Sequence, residues 1–361
     1  MESKETGKNR GKTMRMVAML AIMTGLTTGV ILGAKELYDS LFARYEKKAL
    51  SQIYGEFDFS RVMHKLERKT LTFPTDKAIL QGYYFPVKSP KGLVVVSHGM
   101  HAGADDYLPF IMYFVENGYA VFSYDCKGTY ASEGDSTVGM CTPLVDLDHA
   151  LRYIQRDRKL SKLPLFLFGH SWGGYAATAV LSLHREVRGC AAIAPFNDGY
   201  TLIREKGEQY AGSLVKEGFP NTFLNIYQKL LFGKYTEHSG VKGINSTSIP
   251  VFIAHGNRDS VISFGGQSII SHMSELRQEN VTYYVGTGCQ SGHNTILHSP
   301  QAVAYQEQVK ADLAQLKKQK DGNLSEAELE AFCSQVDHAL YSQVNEELMH
   351  QIVVMFNKAR K

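Results

Sequence analysis

Residues Leu163–Leu181 read L-P-L-F-L-F-G-H-S-W-G-G-Y-A-A-T-A-V-L. The stretch opens with an apolar run typical of a strand buried on both faces of a sheet. A G-x-S-x-G motif centred on Ser171 follows, and the small residues after it predict a closely packed helix. Strand, serine-bearing turn and helix together predict a nucleophile elbow, although an ordinary strand-to-helix turn is the alternative. We expect Ser171 to occupy a strained turn flanked by Gly169 and Gly173, because a Cβ atom at either glycine would collide with the neighbouring strand and helix.

Composition describes a folded protein of 361 residues, of which 44% are hydrophobic and 21% charged. This length accommodates one large α/β domain with insertions or two small domains. The net charge is only +3, and the basic residues are not clustered in a stripe along the chain, which argues against nucleic-acid binding. The five cysteines include no C-x-x-C pair, which argues against a zinc site and a disulfide scaffold. Cys126 and Cys141 either pair or remain free thiols. We expect no metal and no cofactor.

The N-terminal residues predict a membrane anchor. Residues 1–15 are polar and basic, and Met16–Ala34 contains no charged residue. A span of this length is close to the ~20 residues that cross a bilayer, and the basic flank predicts a cytoplasmic N-terminus. The remainder would then lie outside the cell membrane. A cleaved signal peptide, giving a secreted protein, and a hydrophobic helix of a soluble protein are the alternatives. Residues 35–69 are predicted to form a stalk, and a globular domain would cover residues 70–361.

Apolar strands alternate with helices through most of the chain, which predicts an α/β fold with a mostly parallel sheet and right-handed crossovers. Residues 71–73 and 78–85 predict a strand pair, and the strands that follow are Gly92–Ser97, Ala120–Tyr124, Leu163–Phe168, Gly189–Pro195, Pro250–Ala254 and Val281–Val285. The alternation stops at about 197–249, where an aromatic, helical insertion predicts a cap over a pocket or a decoration with its own small core. Helices are expected at about 300–361. Asp146 and Asp148 are predicted on the solvated face of a helix that Thr142 caps.

An acid and a histidine follow later strands. Asp259 lies in H-G-N-R-D (255–259) and His293 lies in S-G-H-N (291–294). The chain order Ser171, Asp259, His293 is the order of the α/β-hydrolase triad. In such a triad the histidine takes and returns the serine proton, while the aspartate fixes the imidazole tautomer. The backbone N–H groups of Met100 and Trp172 are candidates for an oxyanion hole.

Three other polar residues near these motifs have structural interpretations. His98 is predicted to brace the loop after its strand, and Asp125 is predicted to organise a glycine-containing loop. His298 is predicted to belong to the helix that follows His293, which makes His293 the preferred base.

The chain resembles α/β-hydrolases of the monoglyceride-lipase, lysophospholipase and serine-aminopeptidase-like group. The resemblance rests on four motifs in this order: H-G (98–99), G-H-S-W-G-G (169–174), H-G-N-R-D (255–259) and S-G-H-N (291–294). The resemblance covers about residues 70–300. It implies the α/β-hydrolase fold, a Ser171–Asp259–His293 triad, an oxyanion hole at Met100 and Trp172, and a cap after the sixth strand. H-G-M-H-A-G differs from the H-G-x-x-E-H form usual in monoglyceride lipases, and Lys127 stands where an arginine is common.

The predicted function is that of a membrane-anchored serine hydrolase. Its small-molecule acyl substrate would be an acylglycerol, a lysophospholipid or another small acyl ester, cleaved through an acyl-enzyme. One alternative is a peptidase or amidase with the same triad. The other is a catalytically silent α/β-hydrolase that serves as a binding module.

Overall fold

The computed structural model describes residues 35–36, 38–49, 58–211, 219–276 and 279–360. The predicted basic N-terminus and the predicted span Met16–Ala34 lie outside these ranges. Within them, no helix combines the length and the apolar character that crossing a bilayer requires.

A twisted eight-stranded sheet forms the centre of the fold. Its strands follow the order β1-β2-β4-β3-β5-β6-β7-β8. They are β1 (Lys69–Pro74), β2 (Ile79–Phe85), β3 (Leu93–Ser97), β4 (Ala120–Tyr124), β5 (Leu165–His170), β6 (Val187–Ile193), β7 (Val251–Gly256) and β8 (Val281–Gly286). β2 pairs antiparallel with β1 and with β4, and all other pairs are parallel. The predicted mostly parallel sheet is confirmed.

Helices cover both faces of the sheet, which is why β3, β4, β5 and β7 are buried throughout. The α-helices are α1 (Phe59–Val62), α2 (Leu108–Glu116), α3 (Thr142–Arg156), α4 (Trp172–Ala179), α5 (Gly199–Ala211), α6 (Phe219–Phe232), α7 (Gly240–Asn245), α8 (Pro300–Gln319), α9 (Glu326–Gln335), α10 (His338–Tyr341) and α11 (Glu346–Ala359). The core on one face includes α2 and α11, and the core on the other includes α3, α4 and α7. α5, α6 and α7 lie between β6 and β7, in the part of the chain predicted to form the cap.

The described part of the predicted stalk belongs to the folded domain, so that expectation is corrected. Tyr38 and Phe42 are buried in the core on one face of the sheet, while Val62 and Leu66 are buried on the other. The segment stays in place because it adds an extended piece to the domain through a backbone bridge between Ala43 and Ser136.

The predicted exposure of Asp146 and Asp148 on α3 is also wrong, since both side chains are buried. Each carboxylate has partners from other parts of the chain, which the helical periodicity does not reveal. Asp148 Oδ1 accepts hydrogen bonds from Arg152 Nε at 2.9 Å and from His184 Nε2 at 2.8 Å. Asp146 Oδ2 accepts the Lys127 N–H at 2.7 Å.

Three smaller points concern cysteines and helix ends. Cys126 and Cys141 are buried free thiols. Cys141, instead of Thr142, occupies the N-cap position of α3. His298 precedes α8 instead of lying in it, because the Ser299 side chain caps that helix.

Candidate functional site

Ser171 lies at the sharp turn between β5 and α4 with φ 56° and ψ −115°. A non-glycine residue in this region is strained, and such strain is typical of functional turns. A Cβ atom on Gly169 would lie 2.2 Å from the Gly173 carbonyl oxygen, and one on Gly173 would lie 2.1 Å from the Ser97 carbonyl oxygen. Both positions therefore require glycine, as the sequence predicted. The Ser171 N–H donates to the Ile193 carbonyl at 2.8 Å and holds the turn against β6.

The structure brings the three predicted residues into one hydrogen-bonded chain. Ser171 Oγ lies 2.8 Å from His293 Nε2, and His293 Nδ1 lies 2.7 Å from Asp259 Oδ2. The three residues follow β5, β8 and β7, and the carboxyl ends of these parallel strands meet at one edge of the sheet. Asp259 is fixed in turn, since its Oδ1 accepts the N–H groups of Val261 and Ile262 at 2.8 Å each.

A second histidine, His255, contacts the same carboxylate. Its Nε2 lies 3.1 Å from Asp259 Oδ2 and 3.0 Å from the Ile262 carbonyl oxygen, and it therefore acts as a donor. Burial by itself would raise the pKa of Asp259, but the hydrogen bonds from His255 and His293 outweigh burial and lower that pKa. The carboxylate is ionised at neutral pH. The sequence analysis assigned no role to His255. The sequence feature that could have indicated one is the position of His255, four residues before Asp259 in the same motif.

A buried network that the sequence analysis also missed links three loops of the site. The Gly99 N–H donates to Tyr107 Oη at 2.8 Å, and this hydroxyl lies 2.8 Å from His170 Nδ1. His170 Nε2 lies 3.1 Å from the His293 carbonyl oxygen. Since a carbonyl can only accept, His170 carries its proton on Nε2, and Tyr107 donates to Nδ1. Burial, with a smaller contribution from His293, lowers the pKa of His170 to about 3, so its ring is neutral.

The two oxyanion-hole candidates lie beside the elbow. A Cβ atom on Gly99 would lie 3.6 Å from the His170 carbonyl oxygen, so the loop after β3 packs against the turn. Met100, the next residue, lines the same cavity as Ser171. Trp172 begins α4, where N–H groups have no partner within the helix. Within the described part of the chain, neither the Met100 nor the Trp172 N–H has an acceptor.

His98 and Asp125 have the structural roles predicted for them. His98 Nε2 accepts the Cys126 N–H at 2.9 Å. Asp125 accepts hydrogen bonds from the Ala104 N–H at 2.8 Å and from the Tyr83 hydroxyl at 3.0 Å. Burial raises the pKa of Asp125 to about 6.

Ser171 and His293 open into a cavity of about 1350 Å³. This exceeds the ~300–1,000 Å³ of most small-molecule sites. Its apolar lining includes Leu41, Phe42, Phe110, Phe196, Leu202, Ile203, Leu224 and Leu297. Leu202, Ile203 and Leu224 come from the helices between β6 and β7. Among the described residues, no group of three or more His, Cys, Asp or Glu side chains is arranged to hold a metal ion.

Comparison with known proteins shows which proteins this fold resembles. Residues 88–231 match the family model described as serine aminopeptidase, S33. The Pyrococcus furiosus esterase Pf2001 is similar in two crystal forms. In one form the identity is 18%, the TM-score is 0.53, and 77% of this chain and 98% of that chain are covered. In the other form the identity is 19%, the TM-score is 0.51, and the coverage is 73% and 96%. No curated protein matches the chain. The sheet topology, the family match and the shared fold bear out the resemblance in the sequence: the chain has an α/β-hydrolase fold, and residues 88–231 resemble the serine aminopeptidase family.

Proposed function

We propose that the protein is a serine hydrolase that cleaves a carboxylic ester, with Ser171, His293 and Asp259 as its catalytic triad. One observation carries the proposal. Ser171 Oγ donates to His293 Nε2 at 2.8 Å, and His293 Nδ1 donates to Asp259 Oδ2 at 2.7 Å. These two hydrogen bonds connect the three side chains, and Ser171 lies at a strained turn. A nucleophile, its base and an orienting acid within hydrogen-bond reach are what activation of a serine requires.

Acylation begins when Ser171 Oγ attacks the ester carbonyl carbon and its proton passes to His293 Nε2. The carbonyl π electrons move to the oxygen, and the Met100 and Trp172 N–H groups stabilise that oxyanion. When the tetrahedral intermediate collapses, the bond to the alcohol oxygen breaks and His293 donates its proton to the leaving group. An alcohol departs and the acyl group remains on Ser171.

Deacylation repeats these steps with water as the nucleophile. His293 removes a proton from water as the oxygen attacks the acyl carbon, and it then protonates Ser171 Oγ as the carboxylic acid leaves. Asp259 keeps the imidazole in the tautomer with the proton on Nδ1 and stabilises the imidazolium. The lowered pKa of Asp259 supports this role, because hydrogen bonds from His255 and His293 keep it ionised against burial.

The cavity favours an ester over the N-terminal amine substrate of an aminopeptidase. Recognition of a charged amine requires a carboxylate in the substrate pocket, and Asp106 is the one carboxylate among the described residues that line the cavity. Its Oδ2 already accepts the Gly103 N–H at 2.8 Å and the Tyr130 hydroxyl at 2.6 Å. The esterase fold neighbour is in keeping with this choice. The apolar lining supports a substrate with an acyl chain, such as an acylglycerol, a lysophospholipid or another small acyl ester.

A membrane location remains part of the proposal on sequence grounds. Met16–Ala34 would anchor the protein by a single span, with residues 1–15 in the cytoplasm and the triad outside. Extraction of membranes with alkaline carbonate tests the anchor, which should stay in the pellet. Release into the supernatant would contradict a spanning anchor.

Labelling with a fluorophosphonate probe tests the nucleophile. The wild type should be labelled and should hydrolyse p-nitrophenyl acetate, whereas Ser171→Ala should lose labelling and roughly a millionfold in kcat. Ser161→Ala serves as the matched control, because Ser161 is exposed and lies outside the cavity lining. A folded wild type that neither reacts with the probe nor hydrolyses the ester would refute the proposal and favour the binding-module alternative.

A further inference from the structure

The segment 38–49, called the N-terminal strap below, forms one wall of the cavity that holds Ser171. Tyr38, Leu41, Phe42 and Tyr45 all line that cavity. We propose that the strap determines substrate specificity by contacting a long apolar chain of the substrate, with Leu41 as its contact residue. The proposal rests on the proposed ester hydrolysis and adds to it the chemical class of the bound group.

Backbone hydrogen bonds fix the strap to the loop that follows β4. The Thr137 N–H donates to the Phe42 carbonyl at 2.7 Å. The Tyr45 N–H donates to the Gly128 carbonyl at 2.9 Å, and the Tyr130 N–H donates to the Tyr45 carbonyl at 2.9 Å. These bonds give the strap the character of a fixed wall, in contrast to a lid that opens.

Arg44 strengthens this attachment from the side that faces the loop. Its guanidinium donates to three carbonyl oxygens, of Ser132 at 2.9 Å, Gly134 at 2.8 Å and Tyr130 at 2.6 Å. Hydrogen bonds from a charged donor are stronger than neutral ones. With Arg44 bound to the loop, the neighbouring apolar side chains of the strap are free to face the cavity.

The strap also joins the cap helix α6 to the loop that carries the oxyanion-hole candidate. The Tyr38 ring meets the Tyr227 ring edge-on at 5.3 Å, and Tyr38 Oη accepts a hydrogen bond from Gln228 Nε2. At the other end, the Tyr45 ring lies 5.4 Å from the ring of His101, the residue after Met100. The wall therefore runs along the cavity from the cap to the reacting centre.

The chemistry of the wall specifies what it contacts. Tyr38, Leu41, Phe42 and Tyr45 give the strap an apolar surface along the cavity. The backbone is helical as far as Leu41 and extended at Ala43 and Tyr45. Leu41 keeps 52% of its surface exposed, so a large apolar side chain at the cavity is left uncovered by the protein. A hydrocarbon chain laid against it gains about fourfold in binding for each methylene removed from water. The strap precedes the matched family region at 88–231, and so this contact is supplied by a segment of the chain outside that region.

The experiment compares short and long substrates in matched variants. The p-nitrophenyl esters of acetate and dodecanoate vary the acyl side, and ethyl and dodecyl acetates vary the alcohol side. For the long ester of one series, either p-nitrophenyl dodecanoate or dodecyl acetate, Leu41→Ala should lower kcat/KM about three- to tenfold. Leu41→Asp should lower kcat/KM for the same ester more than tenfold. The short members should change less than twofold. Leu230→Ala and Leu230→Asp are the controls, because Leu230 is 77% exposed on α6 and lies outside the cavity lining.

The outcomes separate this proposal from the proposed function. Equal losses on short and long esters, or no loss on either, in the Leu41 variants would overturn the strap proposal while leaving ester hydrolysis intact. The same selective loss in the Leu230 variants would overturn it too, since surface hydrophobicity would then explain the effect. A wild type without probe labelling or hydrolysis would refute both. Thermal unfolding of each variant verifies that the exposed substitutions leave the fold unchanged.

Discussion

Replacing Tyr107 with phenylalanine tests whether the buried network positions the site. The substitution keeps the ring, which is 5% exposed, and removes one oxygen atom. That oxygen accepts the Gly99 N–H at 2.8 Å and donates to His170 Nδ1 at 2.8 Å. Tyr107→Phe therefore leaves two buried polar groups without partners. These are the N–H of Gly99, the residue before Met100, and the Nδ1 atom of His170, the residue before Ser171.

The size of the effect follows from these two groups. A buried polar group that loses its partner costs about 1–3 kcal/mol, so the free energy of unfolding should fall by roughly 2–6 kcal/mol. The Gly99 amide sets the direction of the loop that carries the Met100 N–H, and His170 links the elbow to the His293 loop. Complete loss of an oxyanion donor costs about a hundredfold to a thousandfold in kcat. Because this variant displaces the donor without removing it, we expect kcat to fall about ten- to a hundredfold with a smaller change in KM.

Urea unfolding and p-nitrophenyl acetate kinetics measure the two quantities in one preparation. Tyr119→Phe is the control, because the Tyr119 hydroxyl donates at 3.1 Å to Asn357 on α11, outside the site. That variant should lose about 1 kcal/mol of stability and keep its kcat. If Tyr107→Phe loses at least 2 kcal/mol while kcat stays within twofold of the wild type, the network stabilises the fold but does not position the reacting groups. If neither quantity changes, the reasoning from these hydrogen bonds is refuted.

Two further predictions concern the elbow and the α3 carboxylate. Gly173→Ala would place a methyl group 2.1 Å from the Ser97 carbonyl oxygen. We expect the free energy of unfolding to fall by at least ~3 kcal/mol and labelling by the fluorophosphonate probe to be lost. Unfolding and labelling like those of the wild type would contradict the steric argument. The second prediction concerns pH and stability: burial would lower the pKa of His184, but the hydrogen bonds that His184 donates to Asp148 and Glu186 outweigh burial and raise that pKa above its unfolded value of 6.5. The stabilisation is therefore complete below about pH 6.5 and is lost as pH rises through the folded pKa. The difference in unfolding free energy between the wild type and His184→Asn should shrink from pH 6 to pH 9 in urea titrations, and a constant difference would refute the linkage.

The sequence revealed the sheet and the candidate triad because both have local signatures. Strands buried on two faces leave continuous apolar runs, and the elbow requires glycine at positions 169 and 173 for steric reasons. The contacts it did not reveal join residues far apart in the chain. Tyr107 and His170 are 63 residues apart, and the Arg44 guanidinium binds carbonyls 86 to 90 residues away.

Polar contacts of this kind leave no periodic pattern in the sequence. For this reason Asp146 and Asp148 of α3 were predicted on a solvated face, although both side chains are buried. The prediction of a stalk missed the strap for the same reason, because the partners of the strap lie far away in the chain, on the loop after β4 and on α6. The anchor at Met16–Ala34 remains a prediction, because it lies outside the described residues.

Burial of the surrounding histidines determines which imidazole can serve as the base. Burial lowers the pKa of His98 to about 4 and that of His298 to about 4. It lowers the pKa of His170, whose ring centroid lies 4.9 Å from that of His293, to about 3. A cation at that distance would oppose the imidazolium that the proposed mechanism forms on His293. With these neighbours neutral and Asp259 ionised, the charge closest to the developing imidazolium is the negative one that stabilises it. The role proposed for His293 thus depends on a neutral His170 as well as on the hydrogen bond from His293 to Asp259.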